Sequence, residues 1–210
     1  MAKKNKTSPI GTAIWPKVCE PDTKFNSDGV YETKLRLNPE DSVKFKAELE
    51  RVRDEAAEYE EKKQGKSLKR YPVPAKDVET EDGERTGEID FKFSLKALAG
   101  KPGKQWEQRP RIFDTKGKPI DPTSISIGSG SKIQVGFEFH TWNTASLGCG
   151  ITLRLKAVMV KELVEYGGET FDAYDFENDG EGYVAATNDS NSVDGEPSEA
   201  ATSADEDSDF

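Results

Sequence analysis

The stretch EIDFKFSLKA, Glu88–Ala97, alternates without interruption, with Ile89, Phe91, Phe93 and Leu95 on one side and Asp90, Lys92, Ser94 and Lys96 on the other. Successive side chains of a strand point to opposite faces, so the pattern specifies a strand with one face in a core and one in water. A helix does not fit it, because there residues three and four apart share a face. The rhythm returns in GVYETKLRL, which sets Tyr31, Thr33, Leu35 and Leu37 against Glu32, Lys34 and Arg36. KIQVGFEFH places Ile133, Val135, Phe137 and Phe139 inward. ITLRLKAVMVKEL places Ile151, Leu153, Leu155, Ala157 and Met159 inward, and Thr152, Arg154 and Lys156 outward. A further strand is expected near 105–113, after a loop around LAGKPGK. Strands buried on one face only are the mark of antiparallel sheets.

One helix is inserted among them. NPED offers Asn38 as an N-cap, Pro39 at the first helical position and acids in the first turn. Phe45, Leu49, Val52, Ala56 and Tyr59 then follow at spacings of three and four, and Gly65 stops the helix, which is placed at about 39–63. A stripe of this length suits the chain's own sheet better than a heptad seam with a second chain. Residues 1–166 therefore read as mainly β: about five strands, one inserted helix and polar turns, in a small closed or nearly closed antiparallel barrel.

Charge divides the chain. The net charge is −10, yet residues 167–210 hold 14 of the 40 acids and none of the 30 Lys and Arg, leaving the first 166 residues at +4. The expectation is a mildly basic domain with an anionic, mostly disordered tail. That tail finishes on SADEDSDF, four acids and then Phe210. Solubility needs no aromatic ring. The tail reads as a binding peptide that imitates a single strand of nucleic acid, with Asp205, Glu206, Asp207 and Asp209 in the place of phosphates and Phe210 in the place of a base. Cys19 and Cys149 make no disulfide framework and no C-x-x-C, which fits a reduced cytosol. No apolar run approaches the roughly 18 residues of a membrane span, and MAKKNKTSPIGTAIW is too polar for a secretory signal. The expectation is a soluble intracellular protein.

Enzymatic chemistry has little to build on. The single histidine, His140, closes a strand, so neither a histidine metal site nor a histidine-assisted nucleophile is expected. IGSGSK lacks the glycine spacing and Gly-Lys-Ser/Thr ending of a phosphate loop and reads as a hairpin turn. No cofactor and no metal are expected. What remains is a pattern of cations and rings: Lys3 and Lys4; Lys66, Lys69, Arg70 and Tyr71 in one loop; Lys92 and Lys96 outward on one strand; Arg154 and Lys156 outward on another; Trp106 followed by Arg111; and Trp142 in a polar loop. Single-stranded nucleic acid requires positive charge for its phosphates and flat rings for its bases, and this set offers both.

Several stretches carry a family resemblance: MAKK, GVY, LKRYP, FKF, DTKGK, GSGSK, WNTA, VMVKELVEYGG, EGYVA and the terminal DSDF. Together, nearly end to end, they resemble the single-stranded DNA-binding proteins of T7-like bacteriophages. The resemblance implies an oligonucleotide-binding (OB) barrel with a helix inserted between strands. It implies a non-enzymatic protein that coats single strands in phage replication, recombination and repair, and assists annealing, in the cytoplasm of the infected bacterium. It also implies a homodimer that binds the phage polymerase and helicase through its tail, and DNA contacts on Lys3, Lys66, Lys69, Arg70, Tyr71 and the outward side of FKFSLKA. A scaffold or acidic chaperone acting on proteins alone is the alternative that composition leaves open.

Overall fold

The computed structural model describes residues 5–101 and 103–165. Lys3, Lys4 and the acidic tail, with Asp205, Glu206, Asp207, Asp209 and Phe210, lie outside them.

Five strands form the barrel wall: β1 (Lys6–Asp22), β2 (Val30–Leu37), β4 (Arg85–Lys96), β9 (Lys132–Thr144) and β10 (Gly148–Glu162). β1 pairs antiparallel with β2 and β9, β2 with β4, and β9 with β10. The ring closes through a parallel contact of β10 with β4, Leu153 beside Phe93 and Arg154 beside Ser94. Parity demands it: directions cannot alternate all the way round a ring of odd number. Five short strands extend this sheet or stand outside it. β3 (Ala75–Glu79) pairs with β4, β7 (Arg111–Phe113) with β10, and β8 (Pro119–Ile120) with β7. β5 (Leu98–Lys101) and β6 (Lys104–Glu107) make a separate hairpin.

Two expectations about the wall change. The fifth barrel strand is the N-terminal β1, and the strand expected near 105–113 divides into β6 and β7 outside the ring. Pro9, Pro16 and Pro21 break the alternation of β1, whose pairing shifts register between Thr7 and Ile10, between Ile14 and Lys17 and between Lys17 and Asp22. Trp15 sits in the second irregularity with φ +48°, a left-handed conformation seldom taken by a bulky residue. In β10 an extra residue at Lys156 shifts the phase, since Leu155 faces Phe137 while Ala157 faces Gly136. Val158 and Val160 are consequently buried in place of Ala157 and Met159.

The single α-helix of the described residues, α1 (Pro39–Gln64), lies between β2 and β3. Asn38 accepts from the Asp41 N–H, and Gly65, at φ 68°, returns its own N–H to the Glu61 carbonyl. Ser42 fastens the first turn: its buried hydroxyl donates to the Leu37 carbonyl and accepts from the Ile89 N–H. Phe45 enters the barrel, its ring 4.9 Å from that of Phe91 and 5.8 Å from that of Phe137, with Phe93 behind them. The stripe then drifts. Ala57 is buried in place of Ala56, and Tyr59 is 68% exposed, because the last turns have no barrel beneath them to cover it.

Candidate nucleic-acid interface

The outer ends of β9 and β10 build the most specific part of the site. Trp142, expected in a loop, lies on β9, because the hairpin turn is only Ala145–Leu147. Directly across the ladder stands Gly150. A Cβ there would meet the Trp142 indole at 2.3 Å, so only glycine lets the ring lie flat on β10. The indole Nε1–H donates to Thr152 Oγ1 at 3.2 Å, which fixes its direction. Trp142 is half-buried there.

The loop after α1 supplies the second ring. Tyr71, 38% exposed, sets its ring 5.2 Å from that of Trp142 at an interplanar angle of 58°. Backbone bonds seat this loop on β10: the Tyr71 N–H donates to the Cys149 carbonyl and the Cys149 N–H to the Lys69 carbonyl, both at 2.8 Å. Gly148, at φ +83°, lets Lys69 approach, since a Cβ would lie 2.0 Å from the Lys69 carbonyl oxygen. Arg53 of α1 adds a bond from Nη1 to the Tyr71 carbonyl.

Arg70 is placed differently from the other cations of its loop. Its guanidinium is gripped by both oxygens of Glu61 and donates to the Leu68 carbonyl at 2.7 Å. Glu61 also accepts from the Leu68 N–H. The Arg70 bond, then the Leu68 N–H, hold the Glu61 carboxyl at about 2, well below the usual range. Arg70, expected as a DNA contact, is ion-paired with Glu61 and through that pair moors the loop. Lys66 and Lys69 are exposed beside it.

From the Tyr71–Trp142 pair, cations run along the outer face of the barrel. Arg154 is half-buried beside Ser94, and Lys156 is 3.8 Å from Glu138. Beyond the bulge, Arg111 of β7 pairs with Ala157 and is exposed. On β4, Lys92 contacts Glu32 at 2.7 Å, and Lys96 is exposed at the strand's end. Lys34, opposite Lys92 on β2, was not singled out from the sequence and adds an exposed cation. Trp106 stands apart: 60% exposed on the β5–β6 hairpin, it lies over Gly100 and is not brought to the ring pair. Lys3 and Lys4 lie outside the described residues.

Sequence reasoning passed over the supports, Glu61, Arg53, Gly148, Gly150 and Thr152, none of which looks functional until its neighbour is known. It also passed over Phe25, 90% exposed at the edge of a groove of about 500 Å³ above Lys92 and Lys96. Its signal, a lone ring within the polar turn PDTKFNSDG, was legible. A larger hollow of about 700 Å³ lies between Trp15–Glu20 and Pro122–Ile127, and none of the expected site residues lines it. Among the described residues, no group of His, Cys, Asp and Glu is arranged to hold a metal ion, and no helix is long and apolar enough to cross a membrane.

No protein-family model matches the chain. The single-stranded DNA-binding protein of Escherichia phage T7 is 31% identical over 241 aligned positions that cover 100% of both chains. That of Enterobacteria phage T3 is 36% identical over 106 positions, 48% of this chain and 44% of the T3 protein. The crystal structure of gp2.5, the single-stranded DNA-binding protein encoded by bacteriophage T7, superposes with a TM-score of 0.64 at 26% identity, covering 88% of this chain and 100% of that one. The single-stranded DNA-binding protein of bacteriophage Enc34, in complex with ssDNA, shares the fold at a TM-score of 0.53 and 15% identity, covering 78% and 89% of the two chains. With the barrel order, the inserted helix and the end-to-end match in agreement, the chain belongs to the T7-like phage family of single-stranded DNA-binding proteins.

Proposed function

We propose that the protein binds single-stranded DNA, largely without regard to sequence, along the outer face of its barrel during phage replication. It is a binding protein and not an enzyme, as its T7 relative is by name. The observation that carries the reading is the Tyr71–Trp142 pair, two rings 5.2 Å apart, the first exposed and the second half-buried. They stand at the head of a cationic lane through Arg154, Lys156 and Arg111, with Lys92 and Lys96 one strand over. Bases stack on such rings whatever their identity, while phosphates follow the cations, so the binding is tolerant of sequence and sensitive to salt. Lys3, Lys4, Lys66 and Lys69 add to the electrostatic part. Titration with oligo-dT at low salt tests the reading through quenching of tryptophan emission. A scaffold acting on proteins alone gives no quenching.

The same reading extends to the rest of the chain. The tail competes weakly with DNA for the basic face, tethering having raised its effective concentration toward about millimolar. Once displaced, it recruits the phage polymerase and helicase, with Phe210 as the apolar anchor. The protein works as a homodimer in the cytoplasm of the infected bacterium, where it also serves recombination, repair and strand annealing. A pull-down of the replicative polymerase with and without Phe210 tests the anchor, and equal recovery contradicts it.

A further inference from the structure

We infer that Phe25 is a second base-stacking platform, at the opposite end of the lane from Tyr71 and Trp142. The inference rests on the single-stranded DNA reading of that face. Phe25 belongs to the connection between β1 and β2, and its ring is 90% exposed. A single exposed apolar residue is ordinary on a surface. This one differs in what lies beside it and in how it is presented.

The connection is a set of hydrogen-bonded turns. The Lys24 N–H donates to Asp22 Oδ1 at 2.8 Å, the Asp28 N–H to Asn26 Oδ1 at 3.1 Å, and the Gly29 N–H to the Asn26 carbonyl at 2.9 Å. The turn therefore holds the ring out from the barrel and lowers the ordering cost of a base landing on it. Beside it opens the groove of about 500 Å³, floored by Glu32 of β2 and by Lys92, Ser94 and Lys96 of β4. Such a volume falls in the range of small-ligand sites. Lys92 and Lys96 line the groove with Glu32 and Asp22, and Lys24 Nζ adds a third cation 5.4 Å from the Phe25 ring centre. Charge thus favours a phosphate beside the ring, and the ring favours a base.

Continuity with the lane fixes the occupant. Ser94, in the groove floor, is the residue paired with Arg154. Arg154 is four residues along β10 from Gly150, the seat of Trp142, or about 13 Å at the rise of a strand. A strand that stacks on Trp142 and passes Arg154 reaches Ser94 and Lys96, where the ring bordering the groove is Phe25. The ligand is a nucleotide of the same single strand.

The test uses full-length protein and the anisotropy of labelled oligo-dT at two salt concentrations, with Phe25→Ala, Phe25→Trp and Tyr71→Ala. Phe25→Ala is expected to weaken binding about 5- to 150-fold, the range of one lost base stack, with the salt slope unchanged because no phosphate contact is removed. Phe25→Trp is expected to bind as the wild type or tighter. If Phe25→Ala binds normally while Tyr71→Ala is impaired, the second platform is refuted and the lane stands. If Phe25→Trp is impaired as much as Phe25→Ala, the loop matters and the ring does not, which also overturns the inference. If both Phe25→Ala and Tyr71→Ala bind normally, the DNA reading of this face fails and carries the inference down with it.

Discussion

Gly150→Ala isolates the seat of Trp142 from everything else in the barrel. The added Cβ would stand 2.3, 2.6 and 2.7 Å from three indole carbons. Carbon atoms in contact keep about 3.5–4.0 Å, so the ring must withdraw by more than about 1 Å. That stretches the 3.2 Å bond from Nε1 to Thr152 beyond hydrogen-bonding reach and opens the pair with Tyr71. The lost bond is worth about 1 kcal/mol and the aromatic pair about 0.5–1.5 kcal/mol. Gly150 is not in a left-handed conformation, so alanine strains no backbone and returns about 0.4–1 kcal/mol through the unfolded chain. The net cost is about 1 kcal/mol, a fall of roughly 2–4 °C in Tm for a chain of this size. DNA binding falls further, by about 1–3 kcal/mol if one base loses its platform. Calorimetry measures the first and oligo-dT titration the second. The indole N–H resonance of Trp142 should move while those of Trp15 and Trp106 stay. Normal affinity together with an unmoved Trp142 resonance would refute the reasoning.

Three further outcomes are expected. Lys92→Glu and Lys96→Glu should impair DNA binding with little change in Tm and flatten the salt slope by roughly 0.7 per lost phosphate contact; Phe91→Ala or Phe93→Ala should instead destabilise by about 3–5 kcal/mol, since both rings are fully buried. Glu61→Gln should release Arg70 and the loop, read as faster hydrogen exchange at the Tyr71 and Cys149 N–H groups. The sign follows from the depressed carboxyl: its contribution is complete above the ordinary glutamate value and is lost as pH falls through about 2, so the wild type is insensitive between pH 5 and 8. Removal of residues 195–210 should tighten DNA binding, most at low salt, because screening weakens an electrostatic competitor.

The alternating strands were legible where one face stays in the core over several residues, as from Ile89 to Leu95. The helix was legible from its caps. What escaped was set by geometry between distant residues. β1 hides its strand character behind three prolines and three shifts of register, and the bulge at Lys156 reverses which side of β10 faces in. At the site, the cations could be found by counting outward positions, yet counting does not tell a solvated cation from a neutralised one. Arg70 and Lys69 look alike in GKSLKRYP, and only the approach of Glu61 from the last turn of α1 separates them. Likewise Trp106 and Trp142 look equivalent until Gly150 is seen to seat one of them beside Tyr71.

The central claim is that Tyr71 and Trp142 carry bases at the head of a cationic lane. The most direct measurement is the affinity of full-length wild type and Tyr71→Ala for oligo-dT at low and high salt. The account predicts that the wild type weakens as salt rises, and that Tyr71→Ala is weaker by about 1–3 kcal/mol at both concentrations with the slope preserved. Equal affinity of the two proteins at both salts, or binding by the wild type that ignores salt, would contradict it.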